Sequence, residues 1–305
     1  MQQLTIGIPK ALLYFRYNIM WTTFFEKLNC NVITSIDTNK DIMELGKKYS
    51  VDEACLASKI YMGHVSYLQN KCDYVLVPRI CDYGNNKKVC VKFNGLYDIV
   101  KNVFPNIKIL DYNVEITKHK SEFKGLFKLG VKLTKNPVKV LYAYYKAKVS
   151  ERVHNNILIN NQELVLNSKK MKILIISHPY VVYDKYIGKP IIDYLKKMDM
   201  DIIYADRTNK NESIKKSFAL SKGLYWLYSR ELIGSIPQYK DYVNGIIFLT
   251  SFPCGPDSLI NELLIRKIKD IPIINIIVDE QTSETGLHTR LESFVDIIKQ
   301  KGEVK

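Results

Sequence analysis

The feature that most constrains the fold is an alternation of short apolar runs with longer amphipathic segments, which is interrupted once. It extends from about residue 4 to residue 110 and resumes at residue 172. Short apolar runs bounded by Pro, Gly or Asn are typical of buried strands, and apolar residues three and four positions apart are typical of helices. Strands that alternate with helices form parallel sheets covered on both faces. The sequence therefore predicts an α/β protein.

The alternation stops in a stretch that is rich in basic residues and whose apolar residues have the spacing of a helix. The predicted helix is broken at Asn136-Pro137. This interruption predicts two Rossmann-like parallel-sheet domains joined by a basic helical segment. The expected division is an N-terminal domain at 1–115, a helical connecting segment at 116–170 and a C-terminal domain at 171–305.

The charge is strongly unbalanced, with 45 basic residues against 31 acidic ones and a formal net charge of +14. Such an excess can indicate a nucleic acid, a membrane surface or an acidic ligand as partner. No helix-turn-helix, zinc-finger or RNA-binding signature accompanies it, so we expect solvated helix faces and no specific nucleic-acid partner. The charge also suits a polyanionic ligand such as a coenzyme A thioester.

The location expected from the sequence is the cytoplasm. No apolar run reaches the length of a membrane span, and the N-terminus has no basic segment followed by an apolar region and a cleavage site. We therefore expect no membrane partner, and the six cysteines are expected to be reduced. The sequence does not indicate an oligomeric state.

The segment FPCGPDS carries the most informative cysteine, Cys254. It follows a predicted strand at Gly245–Thr250 and precedes a predicted helix at Leu259–Ile268, which Asp257 or Ser258 would cap. Cys254 is thus expected at the carboxyl end of a strand and near the positive end of a helix dipole. Open α/β sheets bind ligands at that edge, and the dipole favours a thiolate. The alternative is a buried structural cysteine.

Three more cysteines, Cys55, Cys81 and Cys90, fall in or beside predicted loops. If the carboxyl edges of the two sheets face each other, these thiols and Cys254 converge in the cleft. Several thiolates together suit a soft metal or an iron–sulfur cluster. The chain has no CxxC pair, which argues against a zinc ribbon. Cys30, at the end of a predicted helix, and Cys72, at the start of a predicted strand, are expected to be structural.

Other polar residues near these motifs have competing interpretations. His178 directly follows a strand and is a candidate for the cleft, whereas His64 is expected to be a satisfied core residue. Arg79 also follows a strand and could hold an anion. Glu280 and Arg290 could bind each other or a ligand.

The chain resembles the acyl-CoA dehydratase-activase-related proteins, which are relatives of 2-hydroxyacyl-CoA dehydratase subunits. The resemblance runs from about Ile6 to Phe294 and is carried by five segments: GIPKALLYF, CLASKIYMGH, VPRI…CVKFNGLYD, FPCGPDS and DEQTSETGLHTRLESF. The third segment departs from the usual CPKFxGLPD, because Val91 and Tyr97 stand where prolines are expected.

The resemblance implies a double Rossmann-like fold with a 4Fe–4S cluster, or a larger iron–sulfur cluster, in the interdomain cleft. The motif cysteines that match are Cys55, Cys90 and Cys254, and Cys81 is a fourth candidate that many relatives lack. It also implies an ATP-dependent activator of the actin/Hsp70 type as electron donor. No nucleotide-binding GxxxxGK[ST] loop is present in this chain.

Two classes of function are compatible with the resemblance. Three thiolates leave one iron open to a substrate, and dehydratases of this kind use one electron to expel a 2-hydroxyl group from an acyl-CoA. Four thiolates close the cluster and favour a non-catalytic electron carrier or assembly partner. A third possibility is a metal-free binding module.

Overall fold

The computed structural model describes residues 3–85, 87–281 and 284–303. The chain divides into two compact units, Met1–Asn156 and Ile157–Lys305, here called unit 1 and unit 2. The division falls inside a long helix within the stretch that the sequence predicts as a connecting segment. No helix in the described part of the chain is long and apolar enough to cross a membrane.

The strands of the described residues are, in chain order, β1 (Thr5–Ile8), β2 (Asn31–Thr34), β3 (Tyr74–Leu76), β4 (Arg79–Asp82), β5 (Ile109–Leu110), β6 (Asn113–Glu115), β7 (Lys172–Ile176), β8 (Asp201–Tyr204), β9 (Gly245–Ser251) and β10 (Ile273–Val278).

The helices are α1 (Tyr14–Lys27), α2 (Lys40–Lys48), α3 (Leu56–Leu68), α4 (Lys92–Val103), α5 (Glu122–Thr134), α6 (Pro137–Leu166), α7 (Pro179–Val182), α8 (Gly188–Lys197), α9 (Lys210–Leu220), α10 (Leu227–Ile233), α11 (Ile236–Tyr239), α12 (Gly255–Lys267) and α13 (Glu284–Glu303). Short 3₁₀ turns lie at Ile116–Lys118 and Lys240–Tyr242.

Each unit contains a four-stranded parallel sheet. The order is β2-β1-β3-β5 in unit 1 and β8-β7-β9-β10 in unit 2. Counting only the strands of each four-stranded sheet, both orders are second, first, third and fourth, so the direction in which strands are added reverses between the first and third strands. That reversal is where open α/β sheets bind ligands, at the carboxyl ends of the strands. The predicted pair of Rossmann-like parallel sheets is confirmed.

The sheets are buried because their strands are apolar on both faces. All seven residues of β9 and all five of β7 are buried, as expected for central strands covered by helices. In unit 1 the predicted aromatic helix forms as α1. It buries Trp21, Phe24 and Phe25, and the Trp21 indole N–H donates to the Tyr112 hydroxyl at 2.8 Å.

Two local predictions are wrong. The segment after Pro78 is not a loop throughout, because β4 pairs in parallel with β6 in a small second sheet. The helix after Cys254 begins at Gly255 rather than Leu259, and its N-cap is Cys254 itself, with no hydrogen bond from the cap side chain. Asp257 therefore lies within the first turn of α12 and does not cap it. Pro256 is tolerated there because the first helical N–H groups have no partner within the helix.

Candidate functional site

The carboxyl edge of the unit 2 sheet holds a polar cluster in which Asp257 and His178 are buried and Cys254 is partly exposed. Because β7 and β9 are adjacent, the residue that follows β7 meets the first turn of α12. The His178 Nε2 atom lies 3.1 Å from Asp257 Oδ1, and the Cys254 thiol also hydrogen-bonds to the Asp257 carboxylate. Asp257 is 9% exposed and His178 7%. The cluster lies where the strand order of the sheet reverses, which is the position at which open α/β sheets bind ligands.

The electrostatics of this cluster keep Asp257 ionised. Burial alone would raise the pKa of this carboxyl group, but the His178 imidazole and hydrogen bonds from His178 and Cys254 bring the pKa below its usual value. The His178 ring also stacks on Tyr180, with ring centroids 4.9 Å apart and planes 8° from parallel. The Cys254 side chain is thus held beside a carboxylate whose orientation is fixed by a packed histidine.

Cys55 occupies the matching position on a helix of unit 1. It is the N-cap of α3, with extended backbone angles and a partly exposed thiol. Its Sγ atom lies 3.1 Å from Ser58 Oγ, one turn into the helix. A thiol at the N-terminus of a 13-residue helix is placed where the dipole favours the thiolate.

Cys90 precedes a third helix. Its carbonyl accepts the N–H of Phe93 at 3.0 Å in the opening turn of α4, and its side chain is partly exposed. The helix α4 packs against both β4 and α3. The elements that carry Cys55, Cys81 and Cys90 are therefore neighbours in unit 1, while Cys254 belongs to unit 2.

Cys81 lies in β4 in a different electrostatic setting. Its Sγ atom and carboxylate oxygens of Asp82 and Glu115 all lie within 4.8 Å of one another. Among the described residues, this is the group in which three potential metal-binding side chains lie that close to one another. Thiolates that bind different irons of a cluster lie farther apart than ligands of one ion, so this grouping does not bear on a cluster shared by Cys55 and Cys90.

Both carboxylates beside Cys81 already have partners. Asp82 accepts hydrogen bonds from the N–H of Gly84, the N–H and hydroxyl of Thr117, and the Lys88 ammonium, at 2.7 to 3.3 Å. Burial opposes ionisation of Asp82, but these hydrogen bonds lower its pKa to about 2. Glu115 pairs with Lys118 and Lys120. The group is thus a structural anchor for the loop between β4 and α4.

Cys30 and Cys72 differ from the other four cysteines. Cys30 is 6% exposed, and burial raises the pKa of its thiol. Burial also raises the pKa of Cys72, whose Sγ atom lies 3.5 Å from the Leu68 carbonyl. Both environments disfavour a thiolate, as expected for structural cysteines.

Three other predicted candidates are engaged in the fold. Arg79 forms a bidentate ion pair with Asp98, at 3.0 and 3.1 Å, and stacks over Tyr97, so its guanidinium is not an open anion site. His64 is fully buried, as predicted for a core histidine. Arg290 donates to the Asn275 carbonyl at 2.7 Å.

A comparison with protein families decides the chain's relationship. The model of the CoA enzyme activase uncharacterised domain (DUF2229) matches residues 5–207, which is more than half of the chain. The chain belongs to this CoA enzyme activase domain family. The membership confirms the resemblance to activase-related proteins, and the relation to 2-hydroxyacyl-CoA dehydratase subunits stays a prediction.

The family region contains Cys55, Cys81 and Cys90 and ends before β9 and Cys254. It takes in unit 1 from residue 5 onward and the first two strands of unit 2. The polar cluster around Cys254 therefore lies in the part of the chain that the family model does not match, although its His178 lies within the match.

ZnuA is among the solved structures that are similar to this chain. The two are 11% identical with a TM-score of 0.26, and the match covers 97% of this chain and 99% of ZnuA. A Cd-bound periplasmic metal-binding protein from Candidatus Liberibacter asiaticus is 10% identical, with a TM-score of 0.26 and the same coverage. Similarity this low carries no inference about ligands. No curated protein that was compared matches the chain.

One buried cluster near β8 is missing from the sequence-based candidates. The Tyr183 hydroxyl donates to Asp206 Oδ1 at 2.8 Å and accepts from Arg207 Nε at 3.0 Å. Arg207 also lies over the Tyr204 ring at 4.2 Å. Burial raises the pKa of Asp206 above its usual value, despite the hydrogen bond from Tyr183. The sequence signal for this cluster is the Asp206-Arg207 pair, which follows β8 after a single alanine.

Proposed function

We propose that this CoA enzyme activase family chain binds an iron–sulfur cluster of the 4Fe–4S type through Cys55, Cys90 and Cys254. Such a cluster supplies single electrons at low potential, and the proposed reaction is a radical dehydration or related reduction of an acyl-CoA. The proposed electron donor is a separate ATP-dependent activator of the actin/Hsp70 type. The observation that carries the proposal is the common placement of the three thiols: partly exposed and at, or just before, the first turn of a helix.

The donor chemistry fits a cluster. Thiolates are the usual ligands of iron–sulfur clusters, and each of these three helices has at least 12 residues, so each N-terminus carries the partial positive charge that favours a thiolate. The environments of Cys30 and Cys72 raise the pKa of their thiols instead. The Asp257 carboxylate accepts a hydrogen bond from Cys254, which orients the Cys254 side chain.

The surroundings of Cys81 favour three ligands rather than four. Two carboxylates lie beside this thiol, and the three potential ligand atoms all lie within 4.8 Å of one another. The near neighbours of Cys81 are therefore oxygen donors rather than the thiolates that iron–sulfur clusters use. Three protein ligands would leave a coordination position for substrate, so this observation favours the dehydratase-like reaction over a closed electron carrier.

The test is anaerobic purification with iron and sulfide analysis of single Cys→Ser variants. We expect about four irons per chain, or a multiple of four, and loss of iron in Cys55→Ser, Cys90→Ser and Cys254→Ser. Serine is nearly isosteric with cysteine, so lost iron with an unchanged circular dichroism spectrum reports ligation rather than packing.

Cys30→Ser and Cys72→Ser are the matched controls and should keep their iron. Cys81→Ser should also keep iron and shift the spectrum little, whereas loss of iron there would indicate a closed four-thiolate site. If the wild type binds zinc or no metal and all six variants behave alike, the cluster proposal is wrong and a metal-free binding module replaces it.

A further inference from the structure

Four lysines surround a cavity beside α5. The cavity has a volume of about 430 Å³ and lies between β5, the segment that follows it, and α5. The charged residues that line it are Lys120, Lys124, Lys128 and Lys132, opposed by Asp111. Four positive side chains thus face one negative one in a space of the size that small-molecule ligands occupy.

The lysines of this cavity are arranged on one helix face. Lys124, Lys128 and Lys132 are spaced four residues apart along α5, which places them one above the other. Like charges at this spacing repel each other and destabilise a helix. An anion bound between them removes that repulsion, so the helix itself favours a negatively charged ligand.

Internal ion pairs neutralise only part of this charge. Lys120 pairs with Glu115 at 3.3 Å, whereas Lys124 donates to the uncharged His119 carbonyl at 3.3 Å. Within residues 3–85, 87–281 and 284–303, Lys128 and Lys132 have no ion pair. Within the same ranges, no ion pair joins Asp111 to the lysines.

The cavity also lies at the carboxyl edge of the sheet. The residues from Asp111 to Asn113 directly follow β5, so the cavity opens beside the carboxyl end of this edge strand, whereas the reversal of strand order lies between β1 and β3. The helix approaches this segment closely, because a Cβ atom on Gly125 would lie 3.1 Å from the Tyr112 Cβ and 3.2 Å from the Asn113 carbonyl oxygen. The wall of the cavity is therefore firmly packed.

We propose that this cavity binds the phosphate groups of a small phosphorylated ligand of nucleotide size. The lysines supply point charges that suit phosphate, and the concave shape fits a small molecule better than a nucleic-acid backbone. Free nucleotides and coenzyme A share this phosphate chemistry. The inference does not depend on the cluster, because the cavity contains no cysteine.

The test is isothermal titration of the full-length protein with coenzyme A, dephospho-coenzyme A, ADP and inorganic phosphate at about 150 mM salt, where non-specific charge attraction is screened. The double variant Lys128→Gln/Lys132→Gln keeps good helix formers and should weaken binding of the preferred ligand at least about tenfold. The control Lys27→Gln/Lys101→Gln removes two exposed lysines of unit 1 that do not line the cavity and should bind as the wild type does.

The series of ligands distinguishes the two kinds of phosphorylated ligand, coenzyme A and a free nucleotide. Coenzyme A binding that exceeds that of both dephospho-coenzyme A and ADP assigns coenzyme A, and equal binding of ADP and coenzyme A assigns a diphosphate ligand. Cys254→Ser should bind like the wild type, so failure of the cluster proposal and failure of this one are distinguishable. The assignment would be wrong if none of the four ligands bound, or if both double variants lost the same amount of ligand affinity. It would also be wrong if only duplex RNA bound in a lysine-dependent way.

Discussion

The imidazole of His64 is buried between two hydroxyl groups, and this environment sets a pH range for stability. Its Nδ1 atom lies 2.8 Å from Ser35 Oγ and its Nε2 atom 3.0 Å from Thr38 Oγ1. Burial, and then the nearby charge of Lys10, lower the pKa of His64 from 6.5 to about 3, although Asp37 opposes the shift. The folded protein therefore holds this histidine neutral over a range where the unfolded chain binds a proton.

We expect the free energy of unfolding to fall as the pH drops below about 6.5, by about 1.4 kcal/mol per pH unit from this group alone. The contribution is complete above 6.5 and declines toward pH 3, since only the unfolded state gains the proton in that interval. Urea unfolding of the wild type and His64→Gln at pH 7, 6 and 5 measures it. We expect His64→Gln to be less stable than the wild type at pH 7, but its free energy of unfolding should change less steeply with pH. The control His154→Gln should keep the wild-type dependence of the free energy of unfolding on pH. Parallel slopes for all three proteins would contradict the assignment.

Helices α2 and α3 cross where each has a glycine, and their contact positions the Cys55 end of α3. A Cβ atom on Gly63 would lie 2.1 Å from the Ile42 carbonyl oxygen, and one on Gly46 would lie 2.2 Å from the Lys59 carbonyl oxygen. Both neighbours are backbone atoms, which cannot move without shifting a helix. The two glycines are therefore required by close approach of the helix backbones rather than by an unusual conformation.

Gly63→Ala should destabilise the protein by about 1 to 3 kcal/mol, because the added methyl group overpacks the crossing. Gly95→Ala is the matched control. It lies in α4, where a Cβ atom would meet nothing within 4 Å, and should stabilise by about 0.5 to 1 kcal/mol through helix propensity. Thermal unfolding of both variants distinguishes the two effects. A stabilised Gly63→Ala would show that the helices can separate at no cost.

The elements that the sequence predicts well are the long apolar ones. Strand β9 is predicted to within one residue, at Gly245–Thr250 against the observed Gly245–Ser251, because a strand buried on both faces gives a continuous apolar run. The strands β4 and β6 were missed because they are short, partly polar and stabilised by each other and by the Asp82 anchor rather than by the main sheet. Similarly, Asp257 was expected to cap a helix, and only the adjacency of β7 and β9 reveals that it binds His178.

At the scale of the whole chain, the two units share one strand order, and each has a proline in the turn after its first strand. The turn after β1 begins Pro9–Lys10, and the Lys10 N–H donates to Ser35 Oγ at 2.8 Å. The turn after β7 contains Pro179, which has no N–H to donate. Phosphate-binding turns of α/β sheets instead present several free backbone N–H groups from glycine-rich loops. Neither switch point is built to hold the phosphates of ATP.

We therefore predict that the isolated protein does not hydrolyse ATP at an enzyme-like rate, and that turnover depends on a separate activator. Binding of a nucleotide in the lysine cavity does not change this expectation, because phosphoryl transfer also needs a positioned nucleophile and stabilisation of the charge on the transferred group. The measurement is phosphate release by anaerobically purified protein, collected across a gel-filtration peak. ATPase activity that follows the protein peak and is lost in Lys128→Gln/Lys132→Gln would show that this chain is itself the ATPase. It would contradict the proposal that a separate activator hydrolyses the ATP. Activity that does not follow the peak would be a contaminant and would leave the prediction intact.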